Sequence, residues 1–136
     1  MRPVLTAQDL AAFTGDLDRY RHPINRKVIY TPGVQYLAEA GGAYWLIDVV
    51  ASWIGSHSFN RAKEADPRIE SLHHWSLEVA DDRGVVKAWI QSEEPPFAPA
   101  VFVTQKIPFT DFPLPEVHLW CGFDGENWTL FLPSEY

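Results

Sequence analysis

From residue 73 onward the chain reads as short segments of alternating or wholly apolar side chains, and this strand-dense half limits the fold more than anything else. Candidate strands run from His73 to Ala80, Val85 to Gln91, Val101 to Phe109, Val117 to Phe123 and Trp128 to Leu132. Asp82-Arg83-Gly84 and Asp124-Gly125-Glu126-Asn127 carry turn residues and predict hairpins. Prolines 95, 96 and 99 put an irregular loop between the second and third strands.

The first half reads as helical. Thr6 caps a short helix, Ala7 to Phe13, which Gly15 stops. Arg26 to Tyr30 reads as a short strand. Thr31-Pro32-Gly33 then opens a helix over Val34 to Glu39, with Thr31 as the cap and Pro32 in the first turn. Gly41-Gly42 breaks it. The main helix, Ala43 to Ile54, is apolar around most of its circumference, which predicts deep burial, and Gly55 ends it. Residues 56–71 are polar and irregular, with a short helical turn around Phe59 to Glu64. The fold class that follows is α+β in one domain. Its helical part covers about residues 1–71 and packs on one face of a C-terminal antiparallel meander of four to five strands, about residues 72–136.

Strict alternation separates the two faces of that sheet. One set is nearly all apolar: Trp75, Leu77, Val79; Val86, Ala88, Ile90; Val101, Val103, Ile107; and Val117, Leu119, Cys121, Phe123. It belongs against the main helix. The opposite set holds Trp89, Phe102, His118, Trp120 and Phe131 beside Glu78, Lys87, Thr104 and Lys106. A solvated face rarely carries so many large rings. Either residues 14–30, residues 56–71 or the proline-rich loop fold over it, or it is a partner surface.

At 136 residues, with 46% hydrophobic and 14% aromatic side chains, the chain can bury a sizeable core. The net charge of −7 is uneven: residues 1–35 balance at +2 and the remainder at −9. Such a chain repels phosphate, so nucleic acid is disfavoured and a basic partner surface is allowed. The single Cys121 excludes an internal disulfide and fits a reducing compartment. No apolar leader follows Met1, and the longest apolar helix is about twelve residues where a bilayer needs about twenty. The expectation is a cytoplasmic protein with no membrane association.

Little in the chain signals chemistry. Tyr44, Asp48 and Ser52 form a narrow polar stripe on the main helix. Asp48 is then a base, an anchor for a basic ligand, or a structural tie to Arg21 or Arg26. Tyr20-Arg21-His22-Pro23 lies in the one dense basic segment and offers an anion site. The candidate ligand-binding set is Tyr20, Arg21, His22, Tyr44 and Asp48. The candidate partner surface is Trp89, Phe102, His118, Trp120 and Phe131. The five histidines have no zinc spacing, and His118 and Cys121 fall on opposite faces of one strand. No phosphate loop, nucleophile elbow or kinase signature is present. No catalytic residue, metal or cofactor is expected.

Several strings together carry a resemblance: Phe13-Thr14-Gly15, Tyr20-Arg21-His22-Pro23, Tyr30-Thr31-Pro32-Gly33-Val34-Gln35-Tyr36-Leu37-Ala38, Ala43-Tyr44-Trp45-Leu46-Ile47-Asp48, Thr110-Asp111-Phe112-Pro113-Leu114 and Pro133-Ser134-Glu135-Tyr136. In this order they resemble an uncharacterised family of bacteria, plasmids and phages, domain of unknown function 6876. The resemblance implies a small soluble accessory protein and supplies no activity or catalytic residues. The leading expectation is therefore a non-enzymatic protein-interaction module of mobile-element type, with a protein partner or a homodimer. The alternatives are a small-molecule binder or small enzyme with a pocket near Arg21, His22 and Asp48, and an acidic DNA mimic that inhibits a defence or nuclease complex.

Overall fold

The computed structural model describes residues 5–12, 18–91, 95 and 98–135. Among them five α-helices and seven strands follow in the order α1 (Ala7–Ala11), β1 (Tyr20–Arg21), β2 (Val28–Tyr30), α2 (Pro32–Gly41), α3 (Tyr44–Trp53), α4 (His57–Ala65), α5 (Arg68–Ser71), β3 (His73–Ala80), β4 (Arg83–Gln91), β5 (Pro99–Ile107), β6 (Glu116–Phe123) and β7 (Trp128–Phe131), and a 3-10 turn, Pro133–Glu135, comes after β7. The expected stop of the first helix, Phe13 to Gly15, lies outside the described residues.

Helix starts follow their capping residues. Thr6 and Asp9 form a reciprocal capping box at α1. The Thr31 hydroxyl accepts from the Val34 amide and Pro32 opens α2, as the sequence predicts. Gly42 ends α2 at φ 63°, a conformation that favours glycine. Residues 56–71 are more ordered than their polarity suggests. Ser56 caps α4, whose buried ring is Phe59, and α5 buries Ile69. One apolar anchor per helix is a weak periodic signal, so tertiary packing decides these elements.

The sheet is mixed and larger than a meander of four to five strands. Its order is β1-β2-β7-β6-β3-β4-β5. Among the described residues only β2 and β7 run parallel; the other pairs are antiparallel. β3, β4 and β5 form consecutive hairpins, but β6 pairs with β3 rather than β5. This is a Greek-key return. The crossing segment is the Thr110–Leu114 string. The Thr110 amide bonds to Asp82 O at 2.8 Å, and the Val79 amide to Pro115 O at 2.7 Å. Phe112 is buried between them, where a Cβ on Gly41 of α2 would meet its ring at 2.8 Å. The Thr110 hydroxyl accepts the turn's amide, from Phe112.

Two hairpins test the turn chemistry. Ala80 pairs with Arg83, so the first turn is Asp81-Asp82, one residue upstream of the expected Asp82-Arg83-Gly84. Both aspartates take positive φ, 53° and 61°, which suits a two-residue hairpin and which Asp tolerates better than most side chains. The second turn is as expected: Asp124 Oδ1 accepts the amides of Glu126 and Asn127.

All five helices contribute buried side chains to one core cluster, which also holds Trp75, Leu77, Val86, Ala88, Val103, Leu119, Cys121 and Leu130 of the sheet. The helices therefore share one sheet face. At its centre sits His73. Its Nδ1–H donates to Ile69 O at 2.9 Å, and its Nε2 accepts from the Trp75 indole N–H at 2.8 Å. Phe59, Phe102, Trp75 and Trp128 ring it, with centroids 5.6 to 5.9 Å away.

Phe102 is the main departure from strict alternation. Ala88 pairs with Val103 and Trp89 with Val101, so Phe102 is the extra residue of a β-bulge. The bulge turns its ring inward onto Phe59 and His73. Val101, expected inside, is instead 48% exposed. Phe102 therefore leaves the candidate partner surface.

Two outcomes are expected. Phe102→Ala should cost about 3 kcal/mol of unfolding free energy and Trp89→Ala about 1, read from urea midpoints. Equal costs would contradict the bulge. Burial, opposed by the bond to Ile69 O and aided by His74, depresses the His73 pKa from 6.5 to about 4. The unfolded chain then binds the extra proton between those values. Stability should fall by about 3 kcal/mol as pH drops from 6.5 to 4, and His73→Gln should flatten that slope.

Candidate functional site

The expected ligand-binding residues divide between two sides of the β1–β2 edge. Tyr20 pairs with Tyr30 and Arg21 with Ile29. Arg21 turns away from α3 and donates to Arg26 O and to Asn127 Oδ1, the latter at 2.8 Å. Among the described residues neither Arg21 nor Arg26 forms an ion pair with Asp48. The partner of Asp48 is His22.

His22 is buried and fully engaged. Its Nδ1 accepts the amides of Ile24 and Asn25 at 3.1 and 2.9 Å. Backbone amides only donate, so the ring proton of neutral His22 sits on Nε2 and donates to Asp48 Oδ1 at 2.8 Å. Both nitrogens are thus occupied, and neither offers a lone pair to a substrate. Asn25 completes the tie: its amide nitrogen donates to Ala51 O and Ile54 O at the end of α3. The loop between β1 and β2 is thereby fastened to α3 at the middle of an exposed stripe and at the helix's C-terminal end.

That stripe is the Tyr44–Asp48–Ser52 pattern, and all three residues are exposed rather than buried in the core. The Asp48 side chain is 68% exposed. One turn earlier, Tyr44 Oη donates to Glu39 Oε2 at 3.2 Å and accepts from Gln35 Nε2 at 3.4 Å. Tyr20 and Tyr30 stack at 5.6 Å with their planes 24° apart. Tyr30, Glu39 and Asn25 were not among the sequence candidates. Pairing of Tyr30 with Tyr20 depends on a two-residue strand with no periodic signal of its own.

The second candidate surface lies on the other face of the sheet. His74 pairs with Trp89 on one side and Trp120 on the other, and Trp120 pairs with Phe131. Their rings form a row: His74 stacks on Trp89 at 4.3 Å, meets Trp120 edge-on at 5.2 Å, and Trp120 meets Phe131 at 6.0 Å. All four are half-buried. Burial, then the charge of His118, holds His74 below the usual imidazole range. His118 is exposed beside Glu116, 3.7 Å away. Lys87 and Glu78 approach to 3.9 Å on the same face. His74 was not among the sequence candidates, although alternation along β3 places it on the face opposite inward Trp75.

Other reactive groups are sealed. Cys121 is fully buried, which pushes its thiol far above the usual range. Among the described residues no group of three His, Cys, Asp or Glu is placed to hold a metal ion, and no helix is long and apolar enough to cross a membrane. A cavity of about 360 Å³ lies between α1 and the Leu132–Ser134 segment, and one of about 490 Å³ beside Glu78 and Arg83; neither reaches His22 or Asp48.

Against this geometry the comparisons with known proteins are informative in one respect. The model of a family of unknown function, DUF6876, matches residues 4–136. The chain belongs to this family. A search of curated proteins finds no match. A solved protein of unknown function from Enterococcus faecalis is similar at 18% identity and TM-score 0.43, over 89% of this chain and 93% of that one. A likeness that distant carries no weight here. Two of the strings that carry the resemblance meet in the structure: Thr31 Oγ1 and the Gly33 amide bond the Glu135 carboxylate at 2.6 and 3.3 Å, and the Leu132 amide joins them at 2.9 Å.

The His22 geometry makes a graded prediction. His22→Ala strips two amides of their acceptor and should cost about 2 kcal/mol in urea unfolding. His22→Asn keeps an acceptor for the turn and should recover part of that. Asp48→Asn still accepts from Nε2–H and should cost under about 1 kcal/mol.

Proposed function

We propose that this chain is a small non-enzymatic protein-interaction module that docks a protein partner on the sheet face opposite its helices. The row Trp89–His74–Trp120–Phe131 carries this reading. Four strands place these rings in register, so the surface is rigid before a partner arrives. Rigid aromatic anchors lose little entropy on binding and dominate interface energies when they fill pockets. The rim supports the same reading. Val101 stands 48% exposed beside Trp89, and Lys87, Glu78, His118 and Glu116 supply both signs of charge around the rings.

An enzyme reading has less support. His22 has both nitrogens engaged, Asp48 is an exposed carboxylate, and the Cys121 thiol is sealed. A DNA mimic needs ordered lines of negative charge. The ring face instead interleaves Lys87, Lys106 and His118 with Glu78 and Glu116.

The test is differential capture from host extract with the full chain and Trp89→Ser as paired baits. A true partner should bind the variant roughly thirtyfold more weakly, as loss of one anchor implies. Melting temperatures should stay within a few degrees. If no captured protein distinguishes the two baits, the ring row is not a docking surface.

A further inference from the structure

A second surface, independent of the ring row, lies on the helix side at the β1 edge. It is built from Tyr20, Tyr30, Tyr44, Glu39 and Asp48. We propose that this patch receives an arginine side chain from a basic segment of a protein partner.

The geometry supplies both halves of a guanidinium site. Tyr20 and Tyr30 give stacked π surfaces 5.6 Å apart, and Tyr20 and Tyr44 are each 42% exposed. Planar cations bind such faces through the ring quadrupole. Two carboxylates flank the rings. Glu39 is fixed by the Tyr44 hydroxyl, and Asp48 by His22 Nε2–H through one oxygen while its side chain stays 68% exposed. A carboxylate accepts several hydrogen bonds, so Asp48 keeps capacity for a guanidinium fork.

The patch is also pre-organised. His22 and Asn25 pin the loop to α3, and helical spacing sets Tyr44 and Asp48 one turn apart. Its field has the right sign. Tyr30 and Tyr44 are held above the ordinary phenol range, by burial first; for Tyr30 the charge of Asp48 follows, and for Tyr44 the hydrogen bond and charge of Glu39. The carboxylate share of each shift is the part that favours a cation. Arg21, which follows Tyr20, donates to Arg26 O and Asn127 Oδ1 rather than to Asp48. Arginine fits better than lysine because its planar group both stacks and forks, whereas an ammonium is a hydrated point charge.

The experiment titrates the full chain with hexa-arginine, hexalysine and tetramethylammonium, followed by amide NMR shifts at low salt. Hexa-arginine should shift amides around residues 20–30 and 39–48 and bind several-fold tighter than hexalysine. The pair Asp48→Asn and Glu39→Gln keeps both structural hydrogen-bond acceptors while removing both charges. It should weaken hexa-arginine binding about tenfold. Trp89→Ser should leave it unchanged, which separates this patch from the ring row. Equal affinity for hexalysine would mean general attraction to acid and overturn the proposal. So would unchanged binding by the charge-removed variant, or tetramethylammonium shifting these amides where hexa-arginine does not.

Discussion

The buried imidazole of His73 ties the two halves of the molecule together. It stands at the first residue of β3, donates to the α5 carbonyl of Ile69 and accepts from Trp75. Rings from α4, β3, β5 and β7 enclose it. A neutral imidazole can be buried at low cost only when both nitrogens are satisfied. Here one bond is to a helix end and the other to a neighbouring strand residue on the same face. The helices are therefore fixed against the sheet by a polar contact as well as by apolar packing, and apolar packing alone is tolerant of sliding.

One-sided packing follows from this centre. Every helix turns its apolar residues toward the same sheet face, so the opposite face must meet solvent or a partner with whatever the alternation leaves there. That remainder is a line of rings. The β1 edge is finished differently. There the sheet is two residues deep, and side-chain hydrogen bonds from His22 and Asn25, rather than a core, hold the loop to α3. The ring row is positioned by strand register and the tyrosine–carboxylate patch by these tethers, so the two surfaces respond to different substitutions.

Much of the fold was legible because periodicity reports it directly. The boundaries of β3 are those read from alternation, and Thr31, Pro32 and Gly42 punctuate α2 as their chemistry requires. Inward Cys121 and Trp75 and outward Trp89 and Trp120 follow from the same count by two. The count fails at Phe102 because a bulge adds a residue that no local pattern announces. The meander fails for a related reason: strands β3 to β6 are correctly seen, but which neighbour β6 chooses is a long-range matter. The return passes through Phe112, whose ring closes on Gly41 of the distant α2. At the site, the Tyr44–Asp48 stripe was visible from helical spacing. Its partner was misassigned to arginine because charge suggested Arg21 or Arg26, whereas the loop's own turn aims the His22 ring at Asp48 and Arg21 at Asn127.

The sealed centre is most directly tested by the imidazole nitrogens themselves, through nitrogen-15 NMR of labelled protein at neutral pH. The account predicts a single neutral tautomer for His73, with the proton on Nδ1 in slow exchange with water and Nε2 unprotonated beside the Trp75 indole proton. A mixture of tautomers, or a His73 ring proton exchanging as fast as that of an exposed histidine, would contradict it.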